Sequence, residues 1–186
     1  ALFAAAGPSV LAVRLFTILY ATGVSLALWQ IGSRFWGQRE GRLAALLYAI
    51  YNATYIHSQV QPMAVDHLML LPYLYAGFLF LQGRPLWSGL LAGAAFSINP
   101  KSVALLLFFA AAEFLLRQPD LARRWLFVFG GFAAGCAPWA LYLAAGDKWA
   151  YYVRDFWGWG WSYVTVHSPA TAVLTGLRRT LNYAGF

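Results

Sequence analysis

Two long apolar stretches constrain the fold of this chain more than any other feature. Residues 9–31 contain a single charged side chain, and residues 125–145 contain none. About 20 apolar residues let a helix cross the hydrocarbon core of a bilayer, whereas strands of a membrane barrel alternate in polarity over about ten residues. Both stretches therefore predict membrane-spanning helices.

The composition agrees with a chain that lies mostly in lipid. Hydrophobic residues make up 61% and charged residues 10% of the 186 residues, whereas a soluble domain carries about 25% charged residues. A soluble globular fold is excluded, and so is disorder, because disordered chains are poor in apolar residues. We predict an all-α, polytopic transmembrane helical bundle of roughly five to seven helices, forming one domain over residues 1–186.

Shorter apolar runs predict the remaining helices. Residues 43–61 and 63–82 are long enough to span, the second with a bend at Pro72 because proline removes a helical hydrogen bond. Residues 86–98 and 102–116 are short helices on either side of a break at residues 99–101. Residues 151–163 form an aromatic loop, and residues 170–186 an interfacial helix or the start of another span.

Basic residues orient the bundle. The net charge is +7, and arginines concentrate in residues 32–42, 83–88 and 117–124. These three loops fall on one side if the break at residues 99–101 is a turn, and that side is then cytoplasmic by the positive-inside rule. The charge thus indicates membrane orientation and not binding to nucleic acid.

Unusual polar residues gather on the opposite, non-cytoplasmic side. Arg14 and Lys101 are two cations near one membrane surface, which suits a phosphate or pyrophosphate group. Alternatively, both side chains extend to lipid headgroups. Charges at membrane depth are costly and commonly functional, so both interpretations stay open.

Asp66 and His67 begin a helix on the same side. The carboxylate stabilises the helix N-terminus. Alternatively, Asp66 and His67 bind substrate or the lipid phosphate, either through a substrate hydroxyl or as support for a metal or phosphate site. With His57 the pair could be considered a metal cluster, but the spacing matches no recognised ligand motif. We predict no metal site in the protein itself.

The aromatic loop combines alternating tryptophan and glycine with charge. Such residues are expected in an interfacial belt, but they could also form a stacking surface for a sugar or a prenyl chain. The candidate substrate-contacting residues here are Arg154, Trp157, Trp159, Trp161 and Tyr163.

Other patterns concern packing. Glycines repeat every four residues at Gly89 and Gly93 and at Gly131 and Gly135, a spacing that lets membrane helices approach closely. Glu113 lies in an apolar run, and we expect it to pair with Arg117, four residues later.

A family resemblance is carried by several short elements. They are Arg14, a Gly-Ser-Arg-Phe-Trp-Gly segment at 32–37, an Arg-Leu-Ala-Ala-Leu-Leu-Tyr-Ala segment at 42–49, Pro62 to Asp66, Gly-Arg-Pro at 83–85, the glycine-rich residues 89–96 followed by Lys101, and Ala-Pro-Trp at 137–139. Together they resemble GT-C glycosyltransferases, and more narrowly the protein-mannosyltransferase and aminoarabinose-transferase type called family 39.

The resemblance implies an activity. Such enzymes transfer a sugar from a polyprenyl-phosphate carrier to an acceptor on the non-cytoplasmic side. Arg14 and Lys101 match positions that would contact the carrier phosphate, and Asp66 matches an acidic position. No cofactor is implied beyond the polyprenyl-phosphate sugar, and the use of a divalent metal stays open.

One expected element is missing from the sequence. The family's catalytic carboxylate lies in its first external loop, but no Asp or Glu precedes Glu40. We expect the general base upstream of Ala1, in a longer chain of which this is part. Two alternatives follow: a non-catalytic accessory subunit of a larger membrane complex, or a lipid transporter or flippase.

The expected setting follows from the same features. We predict a multi-pass integral membrane protein, placed in a bacterial inner membrane. Its partners would be membrane lipids, the polyprenyl-phosphate carrier and subunits of a larger membrane complex, with no nucleic acid.

Overall fold

A computed structural model describes residues 9–54, 65–116 and 120–158, together with Thr171 and Leu174. The chain divides into two compact units, residues 1–138 and 139–186. The described residues contain helices and turns and no strand. The expectation of a single domain stays a prediction.

The helices follow the apolar runs closely. The first seven α-helices of the described residues are α1 Val10–Phe35, α2 Gln38–Thr54, α3 Val65–Leu68, α4 Leu70–Leu81, α5 Pro85–Ile98, α6 Ala104–Leu116 and α7 Leu121–Ala145. A 3-10 helix, Pro100–Val103, joins α5 to α6. In the second unit, a short helix α8, Trp149–Tyr151, continues into a π-helix, Tyr152–Gly158.

Two helices are long and apolar enough to cross a membrane. They comprise residues Leu11–Phe35 and Leu121–Ala145, and α5 is a shorter apolar helix of 14 residues. Large apolar side chains such as Leu19, Leu107 and Phe114 are exposed, as expected for surfaces that face lipid. The prediction of an all-helical membrane bundle with some short or broken helices is confirmed.

Helices α1 and α2 form a tight hairpin at Gly37, whose φ of 120° suits glycine. The two helices cross at Gly32 and Gly41, where a Cβ atom on Gly32 would lie 2.8 Å from the Cα atom of Gly41. Glycine at both positions therefore lets the backbones touch.

The break between α3 and α4 lies at Met69, three residues before Pro72. Proline has no N–H to donate to the carbonyl of Leu68, four residues earlier. The hydroxyl of Tyr20 on α1 donates to that carbonyl, and the N–H of Leu71 donates to the same hydroxyl. The predicted bend is thus a break that α1 stabilises.

Helices α5 and α7 pack backbone to backbone. A side chain on Gly89 or Gly93 would collide with the carbonyl of Val128 or Phe132, and one on Gly131 or Gly135 would collide with carbonyls of α5. The two glycine repeats therefore face each other, which confirms the close approach predicted from their spacing.

The buried core of the first unit lies among α4, α5, α6 and α7. Phe80 and Phe109 stack with their ring centroids 4.2 Å apart, and Leu105 and Val128 are buried beside them. The hydroxyl of Ser88 donates to the carbonyl of Ala76 at 2.8 Å, so its buried polar group is satisfied.

Ring contacts show that the basic turns share one end of this unit. Phe35, at the end of α1, contacts Phe78 near the end of α4. The Arg124 guanidinium lies 5.4 Å from the centroid of the Phe80 ring, close to the turn that carries Arg84. The basic turns therefore gather at one end, and the residues around Asp66 lie beyond the other end of α4.

Glu113 pairs with an arginine on another helix. Its Oε1 accepts a hydrogen bond from Arg124 Nε at 2.6 Å, and the carboxylate is 4% exposed. The arginine lies near the start of α7, so this hydrogen bond joins α7 to α6. The expected partner, Arg117, lies outside the described residues.

Candidate functional site

An ion pair joins two of the residues singled out from the sequence. Lys101 Nζ lies 3.1 Å from Asp66 Oδ1 and 3.2 Å from Asp66 Oδ2. Asn99 Nδ2 donates to Asp66 Oδ1 at 2.5 Å. Residues from α3 and from the α5–α6 connection therefore meet at one point, which we call the Asp66–Lys101 site.

The local sequence explains how Lys101 is held. Asn99 ends α5 in an extended conformation, and Pro100 begins the 3-10 helix. The Asn99 side chain caps this turn, because its Oδ1 accepts the N–H of Lys101 at 3.0 Å. One amide thus fixes the backbone of Lys101 through its oxygen and the carboxylate of Asp66 through its nitrogen.

Exposure differs sharply within the site. The side chains of Lys101 and Asp66 are 72% and 56% exposed, whereas Asn99 is 5% exposed. The two charges therefore face outward on a buried support. A lysine ammonium has three N–H donors, so the pair leaves Lys101 able to bind a further anionic oxygen.

His67 is held between two tyrosines from the α1–α2 hairpin. Tyr48 Oη and His67 Nε2 are 3.2 Å apart, and the two rings stack with centroids 6.2 Å apart. The Tyr20 ring lies 6.1 Å away on α1. These contacts anchor α3, so His67 positions the neighbouring Asp66.

Arg14 is not brought into contact with this site. It lies on an exposed part of α1, six residues before Tyr20, a rise of about 9 Å along the helix. Among the described residues it forms no ion pair. The pairing of two cations stays a prediction.

An aromatic cluster lies in the second unit, residues 139–186. The rings of Trp139 and Tyr142 stack with centroids 5.3 Å apart, and Tyr152 meets Trp139 edge to face. These rings, with Lys148 and Asp155, line a cavity of about 370 Å³. Lys148 Nζ donates to Tyr142 Oη at 2.8 Å.

The aromatic segment predicted as a loop is helical where the structure describes it, up to Gly158. Arg154 Nε donates to Asp155 Oδ1 at 2.7 Å, and this hydrogen bond lowers the pKa of Asp155 and raises the pKa of Arg154. Trp157 is exposed. Three predicted contacts, Trp159, Trp161 and Tyr163, lie outside the described residues, as does His57.

Sequence reasoning gave no role to three residues that build the site. Asn99 could have been found from its place before proline at a helix break, a typical capping position. Tyr20 and Tyr48 had no signal beyond being aromatic, because their contacts join distant parts of the chain. Within the described ranges, no group of three or more His, Cys, Asp or Glu side chains could hold a metal ion.

Comparison with known families decides the class of the chain. A family model described as dolichyl-phosphate-mannose-protein mannosyltransferase matches residues 1–145. The chain belongs to this family. The match covers well over half of the sequence and includes Arg14, Asp66, Asn99 and Lys101. No curated protein and no solved structure matches the chain.

Membership of this family confirms the resemblance to GT-C glycosyltransferases of the family 39 type. Together with the apolar helices, it makes the chain an integral membrane protein of a glycosyltransferase family. The matched region contains the whole Asp66–Lys101 site, whereas the π-helix Tyr152–Gly158 follows it.

Proposed function

We propose that the protein transfers a sugar from a polyprenyl-phosphate donor to an acceptor hydroxyl at the Asp66–Lys101 site. The observation that carries this proposal is the outward-facing ammonium of Lys101, fixed on a buried asparagine cap. The family description, which names a dolichyl-phosphate-mannose donor, supports a lipid phosphate as the leaving group.

The proposed reaction is a direct displacement at the anomeric carbon. The acceptor oxygen forms a bond to that carbon while the bond to the phosphate oxygen breaks, and the polyprenyl phosphate leaves with the electron pair. A general base takes the proton of the acceptor hydroxyl. Negative charge grows on the leaving phosphate, where a fixed cation stabilises the transition state most.

Some residues of the site would contact the substrate, and others would hold those residues in position. Lys101 would donate to the leaving phosphate, with Arg14 as the second cation for the same carrier. Asp66 would hold the ammonium in place, and His67 would fix the backbone of Asp66 through its contact with Tyr48. Within the second unit, Arg154, Trp157 and the aromatic cavity are proposed as a stacking surface for a sugar or a prenyl chain.

The proposed setting places this site on the non-cytoplasmic side of a bacterial inner membrane. Arginines gather at the opposite end of the first unit, which favours a cytoplasmic position for that end. The proposed partners are the polyprenyl-phosphate carrier and the surrounding lipids. No cofactor or metal is required by the proposed displacement.

The test is transfer of radiolabelled sugar from a polyprenyl-phosphate donor by membrane vesicles containing the native protein. Lys101→Gln should lower kcat by about 10²–10³-fold, as expected for removal of one preorganised charge donor. Lys101→Arg should retain more activity. Arg39→Gln, at the opposite end of the unit, is the matched control and should behave as wild type.

Three results would contradict the proposal. Full activity of Lys101→Gln would show that Lys101 takes no part in the reaction. Native vesicles that flip the lipid across the membrane without sugar transfer would favour a transporter. A protein without transfer activity that purifies with stoichiometric partner chains would favour an accessory subunit of a larger complex.

A further inference from the structure

A cavity of about 560 Å³ lies at the basic end of the first unit, between the α4–α5 turn and the start of α7. Its charged lining consists of Arg84, Arg123, Arg124 and Asp120. The sugar-transfer proposal uses none of these residues. Three arginines around one cavity are an arrangement that suits a phosphate ligand.

Arg124 forms the fixed inner wall of this cavity. Its Nε donates to the buried carboxylate of Glu113 at 2.6 Å, and its guanidinium lies over the Phe80 ring at 5.4 Å. The buried carboxylate offsets the charge of Arg124. This arginine therefore supports the cavity and leaves the recognition of a ligand to its neighbours.

Arg84 and Arg123 are the two available cations. Both are exposed, and neither forms an ion pair with a carboxylate in the part of the chain that the structure describes. Arg123 lies 5.7 Å over the Phe127 ring. Asp120 is the one acidic residue of the lining, so the two arginines leave the cavity positively charged.

The apolar lining indicates where the ligand comes from. Leu86, Trp87 and Phe127 line the cavity beside the arginines, and Trp87 is 58% exposed. Phe127 lies on α7, one of the two helices able to cross a membrane. Exposed tryptophan beside arginine at the end of such a helix is typical of the headgroup region of a bilayer.

We propose that this cavity binds the phosphodiester headgroup of a membrane phospholipid. Arg84 and Arg123 donate to the phosphate oxygens, and Trp87 and Phe127 contact the adjoining part of the acyl chains. A free phosphate would make the same contacts with the arginines, but it has no acyl chain to contact Trp87 and Phe127. The lipid site and the sugar-transfer site are independent, so each proposal can fail alone.

The test measures binding of phosphatidylglycerol to the delipidated, detergent-solubilised protein by native mass spectrometry. Arg84→Gln/Arg123→Gln should weaken binding by about tenfold or more, because two charge-assisted hydrogen-bonding groups are lost. Arg34→Gln/Arg39→Gln removes the same charge at the same end but outside the cavity lining. This matched control should retain binding within about twofold of wild type.

Three results would overturn the lipid site. Equal weakening of binding by both double variants would indicate a general attraction of the lipid to the basic turns. Unchanged binding in Arg84→Gln/Arg123→Gln, or displacement of the lipid by inorganic phosphate at comparable concentration, would also contradict it. If the glutamine variant fails to fold, Arg84→Lys/Arg123→Lys keeps the charge but loses the planar fork, and it should still bind more weakly than wild type.

Discussion

The hydroxyl of Tyr20 donates a hydrogen bond to the backbone carbonyl of Leu68, which lies 48 residues later in the chain. Pro72 leaves that carbonyl without its usual helical donor, and an unpaired backbone group is costly in a bilayer. Helix α1 therefore stabilises the break that precedes α4. This break directly follows α3, the short helix that carries Asp66 and His67.

Replacing Tyr20 by phenylalanine should destabilise the protein. The change leaves the carbonyl of Leu68 and the N–H of Leu71 without their shared partner, at an expected cost of about 1–3 kcal/mol. Unfolding in detergent, followed by circular dichroism, measures it. Tyr75→Phe is the control, because it removes only an exposed hydrogen bond to Gln30 and should cost less.

A second substitution tests the cause of this effect. Pro72→Ala supplies an N–H that can donate to the carbonyl of Leu68, so it should recover part of the loss in the Tyr20→Phe background. In the wild-type background the same change should recover nothing comparable, because Tyr20 already satisfies the carbonyl. Equal effects of Pro72→Ala in both backgrounds would show that Tyr20 and Pro72 are not coupled.

Two adjacent glycines of α7 should respond oppositely to alanine. A Cβ on Gly131 would collide with the carbonyl of Leu86, whereas a Cβ on Gly130 has no atom within 4 Å. Gly131→Ala should therefore cost about 1–3 kcal/mol through forced separation of α5 and α7. Gly130→Ala should be neutral or stabilising, since alanine favours helix.

Thermal unfolding of the two variants in the same detergent checks this prediction. The pair differs by one position in one helix, so changes in helix propensity cancel. A Gly131→Ala protein as stable as Gly130→Ala would mean that the two helices can separate without loss.

The sequence was informative where local patterns control structure. Apolar runs predicted the membrane helices, and the spacing of Gly89 and Gly93 predicted a close helix contact, because both signals repeat along one helix. Pro72 marked the region of the break, since the loss of its N–H is a local effect.

Contacts between distant residues could not be predicted in this way. Neither the hydrogen bond from Tyr20 nor the pairing of Glu113 with Arg124 has a sequence signal, because both depend on which helices pack together. The site shows the same division. Asp66 and Lys101 were recognised singly as costly charges, but their ion pair and its support by Asn99 appear only in the folded chain.

Removing Arg124 should be strongly destabilising. Arg124→Met leaves the Glu113 carboxylate buried without its partner, and breaking a buried pair from one side costs about 3–5 kcal/mol. Glu113→Leu/Arg124→Met should recover most of this loss, because no charge stays buried. Arg39→Met, at an exposed position, is the control and should stay within about 0.5 kcal/mol of wild type.

Denaturation of these variants in detergent separates the two explanations of the loss. If the double variant is no more stable than Arg124→Met, the arginine stabilises the bundle through its contact with Phe80 and not through the ion pair.

Asn99→Asp should separate the two roles of Asn99. Aspartate keeps an oxygen that can accept the N–H of Lys101, so the cap of the 3-10 helix should be retained. It loses the N–H₂ donor to Asp66 and places a second carboxylate beside the first. The ammonium is then shared between two carboxylates and shifts from its position.

We therefore expect Asn99→Asp to lower sugar transfer by about tenfold or more, since a small misplacement of a catalytic group is costly. The melting temperature should also fall, because a carboxylate replaces a buried amide. Kinetics should show the loss mainly in kcat, because Lys101 is expected to act on charge that develops in the transition state. A loss confined to KM would instead assign this site to ground-state binding of the carrier. An unchanged kcat and KM would show that the contact between Asn99 and Asp66 has no part in the reaction.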